Sequence, residues 1–204
     1  MKKILLCTGL SIVILFFANT IHAQERLKLN LGYNTGMPLG DFNNFMGKNS
    51  FRGFHGSLMY DISQQFNIGL GIASQDYYEK LPRQLYNTKD GVISAVVTNS
   101  LQTTPILIKA NYNFLKDTRI TPYVGIGAGF NLIKYSQYLG EFGDATTHFK
   151  PAASADAGLN FFFNERKAAG INLGANFNYM PYNENALKNL NNWGIHTGVF
   201  FPLR

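Results

Sequence analysis

Cysteine is almost missing from this chain: Cys7 is the single one in 204 residues. That excludes the small secreted scaffolds that disulfides hold together. Charge is sparse too, at 15% of residues, and after Lys2 and Lys3 no basic cluster follows. A nucleic-acid face needs a concentrated patch, so nucleic acid is excluded as a partner. Charge-rich amphipathic helical segments are also lacking, and no apolar run reaches the roughly 20 residues of a spanning helix. There is no GxSxG, no HExxH and no phosphate loop. The Gly-rich GIGAG lies in strand-like sequence, without the helix that a dinucleotide site requires. Histidine numbers only four, with no further ligands at metal-site spacing. Neither a cofactor nor a metal is expected.

Glycine, asparagine and aromatics are abundant instead, a composition that suits an all-β chain. The N-terminus has its own layout: MKK is a positive n-region, ILLCTGLSIVILFFA an apolar h-region, and NTIHA-QE offers Ala23 before a cut. This reads as a secretory signal peptide over residues 1–23, cleaved after Ala23. No lipobox surrounds Cys7. Losing Lys2 and Lys3 lowers the formal charge from +6 to +4. Residues 24–204 remain, about 180 in number, the size of one domain.

The stretch TPYVGIGAGFNLIKY, residues 121–135, sets Val124, Ile126, Ala128 and Phe130 against Gly125, Gly127 and Gly129. A period of two marks a strand, because successive side chains point to opposite faces. Glycine weakens a strand interior unless something crowds against it. Seven further runs alternate in the same way, among them RLKLNLGYNTG, FNIGLGIASQ, AGINLGANFNY and NWGIHTGVFFPL. In each, bulky apolar residues share one face, with Gly, Asn and Ser on the other. SQQ, LKDTR and NERK are tight turns; the other links are long, at residues 38–50, 79–98, 136–148 and 181–191. Even strand number with alternating short and long links is the pattern of transmembrane β-barrels. Placing Phe66 and Phe114 at one height puts a hairpin midpoint at Asp90 in NTKDGV, where Asp-Gly is a turn signal. Residues 79–98 therefore read as a protruding β-ribbon or as a disordered loop, with Pro82 and Pro105 against the ribbon.

A soluble lipocalin-like barrel also has eight strands. Its apolar face would point inward, leaving an outside of Gly, Asn and Ser with few charges, a poor soluble surface. Lipid outside and small or amide residues inside resolve the conflict. Tyr60, Phe66, Tyr112, Phe114, Phe161, Phe163 and Phe201 share the outward parity and cluster at the short-turn end, as an aromatic girdle does. Tyr33, Phe54, Phe130, Phe149 and Trp193 suggest a second girdle.

Inward charges need partners. Lys28 with Asp61, placed opposite each other low in the barrel, and Lys109 with Asp156, at middle height, are candidate pairs of an interior plug. A gate or proton path is the sharper alternative. His55 and His196 point inward as hydrogen-bonding groups, and His148 falls in a loop. No strand histidine faces lipid, and Ser57 and Ser154 face inward, so a lipid-facing catalytic triad is not assembled.

GYNTGMPLGDF, TTPILIKANYNF, TPYVGIGAGFNLI and GIHTGVFF resemble the small outer-membrane β-barrel family, the OmpA/OmpX-type barrels, over essentially the whole mature chain. The resemblance implies an all-β, eight-stranded antiparallel up-and-down barrel in the outer membrane of a Gram-negative bacterium. Its implied partners are outer-membrane lipid, the barrel-assembly machinery and an unknown extracellular ligand met through the loops. The expected role is structural or surface-interactive and not enzymatic. A lipid-modifying barrel enzyme and a soluble lipocalin-like carrier are the alternatives.

Overall fold

The computed structural model describes residues 26–88, 91–115, 118–139, 142–163, 169–184 and 187–203. Twelve strands and one short helix follow in order: β1 (Leu27–Pro38), α1 (Asp41–Met46), β2 (Ser50–Asp61), β3 (Phe66–Lys80), β4 (Gln84–Thr88), β5 (Gly91–Ala95), β6 (Val97–Asn113), β7 (Ile120–Leu139), β8 (Phe142–Phe162), β9 (Gly170–Tyr179), β10 (Pro181–Glu184), β11 (Leu187–Asn189) and β12 (Asn192–Pro202). Eight of them close an antiparallel barrel in the order β1-β12-β9-β8-β7-β6-β3-β2. The signal segment and Ala23, the NERK turn and Asp90 lie outside the described residues.

Period-two patterning sorts the side chains. Leu70, Ile108, Ile126 and Leu173 stand 58%, 60%, 69% and 47% exposed, whereas Thr103, Asn131 and Asn172 are buried. A barrel of eight strands leaves inside only enough room for side chains. Its polar residues fill that space and its apolar ones meet the lipid.

The wall is not of even height. The β3–β6 ladder runs up to Lys80 opposite Thr98, β6–β7 to Val97 opposite Leu139, and β7–β8 to Leu139 opposite Phe142. The β8–β9 and β9–β12 ladders stop earlier, at Ala153 opposite Tyr179 and at Asn192 opposite Asn178. β3, β6, β7 and β8 thus project beyond their neighbours as a four-stranded sheet.

Several expected details change. Residues 136–139 and 142–148 are not a loop: they belong to β7 and β8, with Ser136 opposite Ala145, and His148 is a strand residue opposite Ile133. Alternation in that stretch is obscured by Gly and Thr, and cross-strand pairing decides it. The described residues of 79–98 form a ribbon, finished by the β4–β5 hairpin with Thr88 opposite Gly91. Phe66 faces Tyr112 and not Phe114, and Lys28 faces Met59 and not Asp61. Each register is two residues from the expected one, a slip that leaves every side chain on its own face. Pro82 falls in the break after β3. Opposite Pro105 the β3–β6 ladder lapses between Ile72/Ile106 and Gln75/Thr103, as expected for a residue without an N–H donor. The long links 38–50 and 181–191 hold α1 and the β10–β11 hairpin.

Candidate functional site

The waist of the barrel gathers the ionisable residues. Lys109 Nζ, from β6, lies 3.0 Å from Asp156 Oδ2 on β8, with side chains 24% and 6% exposed. Lys28 Nζ lies 2.7 Å from Asp61 Oδ2 near the short-turn end, a diagonal pair across β1 and β2. Lys28 also stands 5.8 Å over the ring of Phe162. His55 of β2 and His196 of β12 meet edge to face with centroids 5.6 Å apart. Tyr123 Oη and His196 Nε2 are 2.7 Å apart, one hydrogen bond whose direction follows the imidazole tautomer.

Packing explains the glycines of the alternating strands. A Cβ on Gly127 would come within 2.7 Å of Ser154 Oγ, and one on Gly174 within 2.8 Å of His196 Cε1. The empty face of the GIGAG strand is the space into which the polar side chains of the facing strands extend. Between them lies a cavity of about 140 Å³, lined by Asn30, His55, Asn111, Tyr123, Asp156 and His196 among others. It is polar and roomy enough for several waters.

The outward aromatics form two bands. Tyr60, Phe66, Tyr112, Phe114, Phe163 and Phe201 are exposed at the short-turn end, with Phe161 half-buried on the same face. Tyr33, Phe54, Phe130, Phe149 and Trp193 are exposed toward the other end, where Phe130 and Phe149 stack at 4.7 Å.

What sequence reasoning missed is the lid. Above the polar waist the inward residues turn apolar: Leu101 of β6, Ile133 of β7 and Tyr77 of β3 are fully buried. Phe42 and Met46 of α1, with Tyr182, Leu187 and Leu190 around the β10–β11 hairpin, complete one cluster with them. Phe42 packs edge to face on Tyr77 at 4.7 Å. The signal was available: Phe42 and Met46 are spaced i, i+4, the spacing of one helical face. Gly40 and Gly47 bound that turn with φ of 57° and 60°. At the opposite end Met59 and Phe200 are buried inside the barrel. Tyr123 was also missed, because its parity gave no hint of a partner 73 residues away.

Among the described residues no three His, Cys, Asp or Glu are grouped to hold a metal ion. His148 faces inward beside Tyr182, with ring centroids 5.5 Å apart. The site is therefore a sealed polar interior, suited to packing and hydrogen bonding.

A closed eight-stranded barrel with an apolar outside and a polar waist is now joined by a sequence match. The profile of the outer membrane protein beta-barrel domain family covers residues 8–201. The chain belongs to that family. It is a protein of the Gram-negative outer membrane. Comparison with curated protein sequences finds no match. Among solved structures, the Neisserial surface protein A (NspA) is 15% identical with a TM-score of 0.55, the match covering 87% of this chain and 96% of that one. The outer membrane protein OprG of Pseudomonas aeruginosa is 12% identical with a TM-score of 0.52, covering 86% and 95%. At such identities the likeness is one of fold.

Proposed function

We propose that this outer membrane β-barrel is an anchor without catalytic activity, whose work is surface interaction with a partner outside the cell. The observation that carries the reading is the projecting sheet of β3, β6, β7 and β8, continued by the β4–β5 hairpin beyond the aromatic band. Strand built that far past the membrane has no use in crossing it. The apolar lid supports the same reading, since a lumen packed with Phe42, Leu101, Ile133 and Leu190 is unsuited to solute flow.

Removing residues 81–96 tests this, because the barrel ladders below Lys80 and Val97 stay complete. The shortened protein is expected to keep its heat-modifiable migration on detergent gels. The full chain is expected to bind extracellular glycans or proteins on arrays, and the shortened form to lose that binding. Equal binding by both forms would refute the reading, as would a large steady conductance of the full chain in planar bilayers.

A further inference from the structure

The outer face of the wall carries a row of charged and amide residues where the strands leave the apolar band. Asp76 of β3 stands opposite Gln102 of β6, Gln102 opposite Lys134 of β7, and Lys134 opposite Thr147 of β8. Arg52 of β2 ends the row, with Nη1 3.6 Å from Asp76 Oδ2 and the guanidinium 5.6 Å over the Tyr78 ring. One outward position closer to the membrane centre lie Phe54, Ser74, Thr104, Leu132 and Phe149; one further lie Ile72, Ile106 and Phe130.

Arg52 has the outward parity of Phe54 and Leu58, and a β-bulge lies beside it. Asn34 pairs with Gly53 and Gly36 with Ser50, so Phe51 and Arg52 both stand opposite Thr35. Bulges re-aim side chains, and here Phe51 is 63% exposed and the Arg52 side chain 67%. Asp76 accepts a hydrogen bond from Ser100 Oγ at 3.3 Å, leaving two cations against one carboxylate. Lys134 is exposed and makes no ion pair among the described residues. Arg52 and Lys134 are three strand spacings apart, about 14 Å. On the low side of the barrel the exposed outward positions near this level are Tyr33, Phe177, Tyr179 and Trp193, none of them charged.

We infer that this row binds the headgroup of an outer-leaflet saccharide lipid that carries a phosphate at each end. Arg52 and Lys134 each meet a phosphate, Gln102 and Tyr78 face the sugars between, and Phe54, Leu132 and Phe149 meet the acyl chains. Guanidinium matches phosphate in a two-pronged geometry, and basic side chains at the edge of a bilayer are drawn to anionic headgroups. A lipid suits the row better than a soluble protein, because Phe54, Leu132 and Phe149 of the outward apolar face adjoin it. The site depends on the orientation of the barrel in its membrane and not on the surface-binding reading, which survives its failure.

The test is native mass spectrometry of the full barrel in detergent, titrated with bis-phosphorylated lipid A and with its monophosphorylated and dephosphorylated forms. The wild type is expected to retain one bis-phosphorylated molecule. R52A/K134A is expected to hold it roughly 25-fold more weakly, about fivefold for each cation. R52K/K134R restores most of the binding, and Lys188→Ala, exposed on β11, leaves it unchanged. Equal retention of the dephosphorylated lipid overturns the proposal, and so does wild-type affinity in the double variant. Displacement by inorganic phosphate mole for mole also overturns it, by making this a free-anion site. Should the double variant fail to fold, Lys134→Ala alone still decides: an unchanged affinity refutes the site.

Discussion

At the waist of the lumen the inward side chains are Asn111, Tyr123, Asp156 and His196; further along the same walls they are Leu101, Ile133 and Tyr77. Both regions face the axis, yet one is a polar network and the other an apolar core. The difference lies in what comes to meet them. At the waist only the opposite wall is within reach, and each strand must satisfy its neighbours across a narrow lumen. At the mouth α1 and the β10–β11 hairpin fold back over the opening and bring Phe42, Met46, Tyr182 and Leu190. The loops seal the barrel with the same kind of packing that holds a water-soluble domain together.

The sharpest way to break this contrast is to unbalance the waist. Asp156→Ala leaves Lys109 without its counter-ion inside the barrel and is expected to cost about 3–5 kcal/mol. Replacing both partners together, Lys109→Met with Asp156→Leu, is expected to fall within about 1 kcal/mol of wild type, since an apolar pair removes the desolvation cost as well. Urea unfolding in lipid vesicles, followed by the fluorescence of the single tryptophan, Trp193, measures both. A double variant as unstable as the single one would mean that the waist tolerates no apolar filling.

The mouth should behave as a soluble core does. Ile133→Ala and Leu101→Ala, both fully buried, are each expected to cost about 2–4 kcal/mol through lost burial and a residual cavity. The same unfolding assay applies, and a loss under ~1 kcal/mol would show that the lid contributes little. Gly174→Ala comes next, at about 1–3 kcal/mol, because the added methyl group would meet the Ala157 carbonyl oxygen at 2.6 Å as well as crowd the His196 ring. The smallest effect belongs to Tyr123→Phe, about 1 kcal/mol for the hydrogen bond to His196. NMR of the His196 ring protons is expected to register that loss clearly, and an unchanged spectrum would place the two groups apart.

Much of this was legible from residues alone. The alternation in FNIGLGIASQ and AGINLGANFNY is local, so strand identity and the greasy face follow from neighbours in the chain. The low charge of the small-residue face then sets that face inward. The pairs Lys28–Asp61 and Lys109–Asp156 could be nominated by parity and height, because a buried charge demands a partner. Residues 136–148 read as a loop because their alternation is weak, and only pairing with β6 and between β7 and β8 makes 136–139 and 142–148 strand. Registers at Phe66 and Lys28 were off by two for a related reason: turn length shifts a ladder by two without changing which face a residue occupies.

By itself, then, the sequence determined strand period, the side that meets lipid and the polar character of the waist, all properties encoded within a few residues of one another. Tertiary structure alone decided the ladder registers, the meeting of Tyr123 with His196, the bulge that turns Phe51 outward and the folding of α1 over the mouth. Those depend on how eight strands close around one axis, and closure couples residues far apart in the chain.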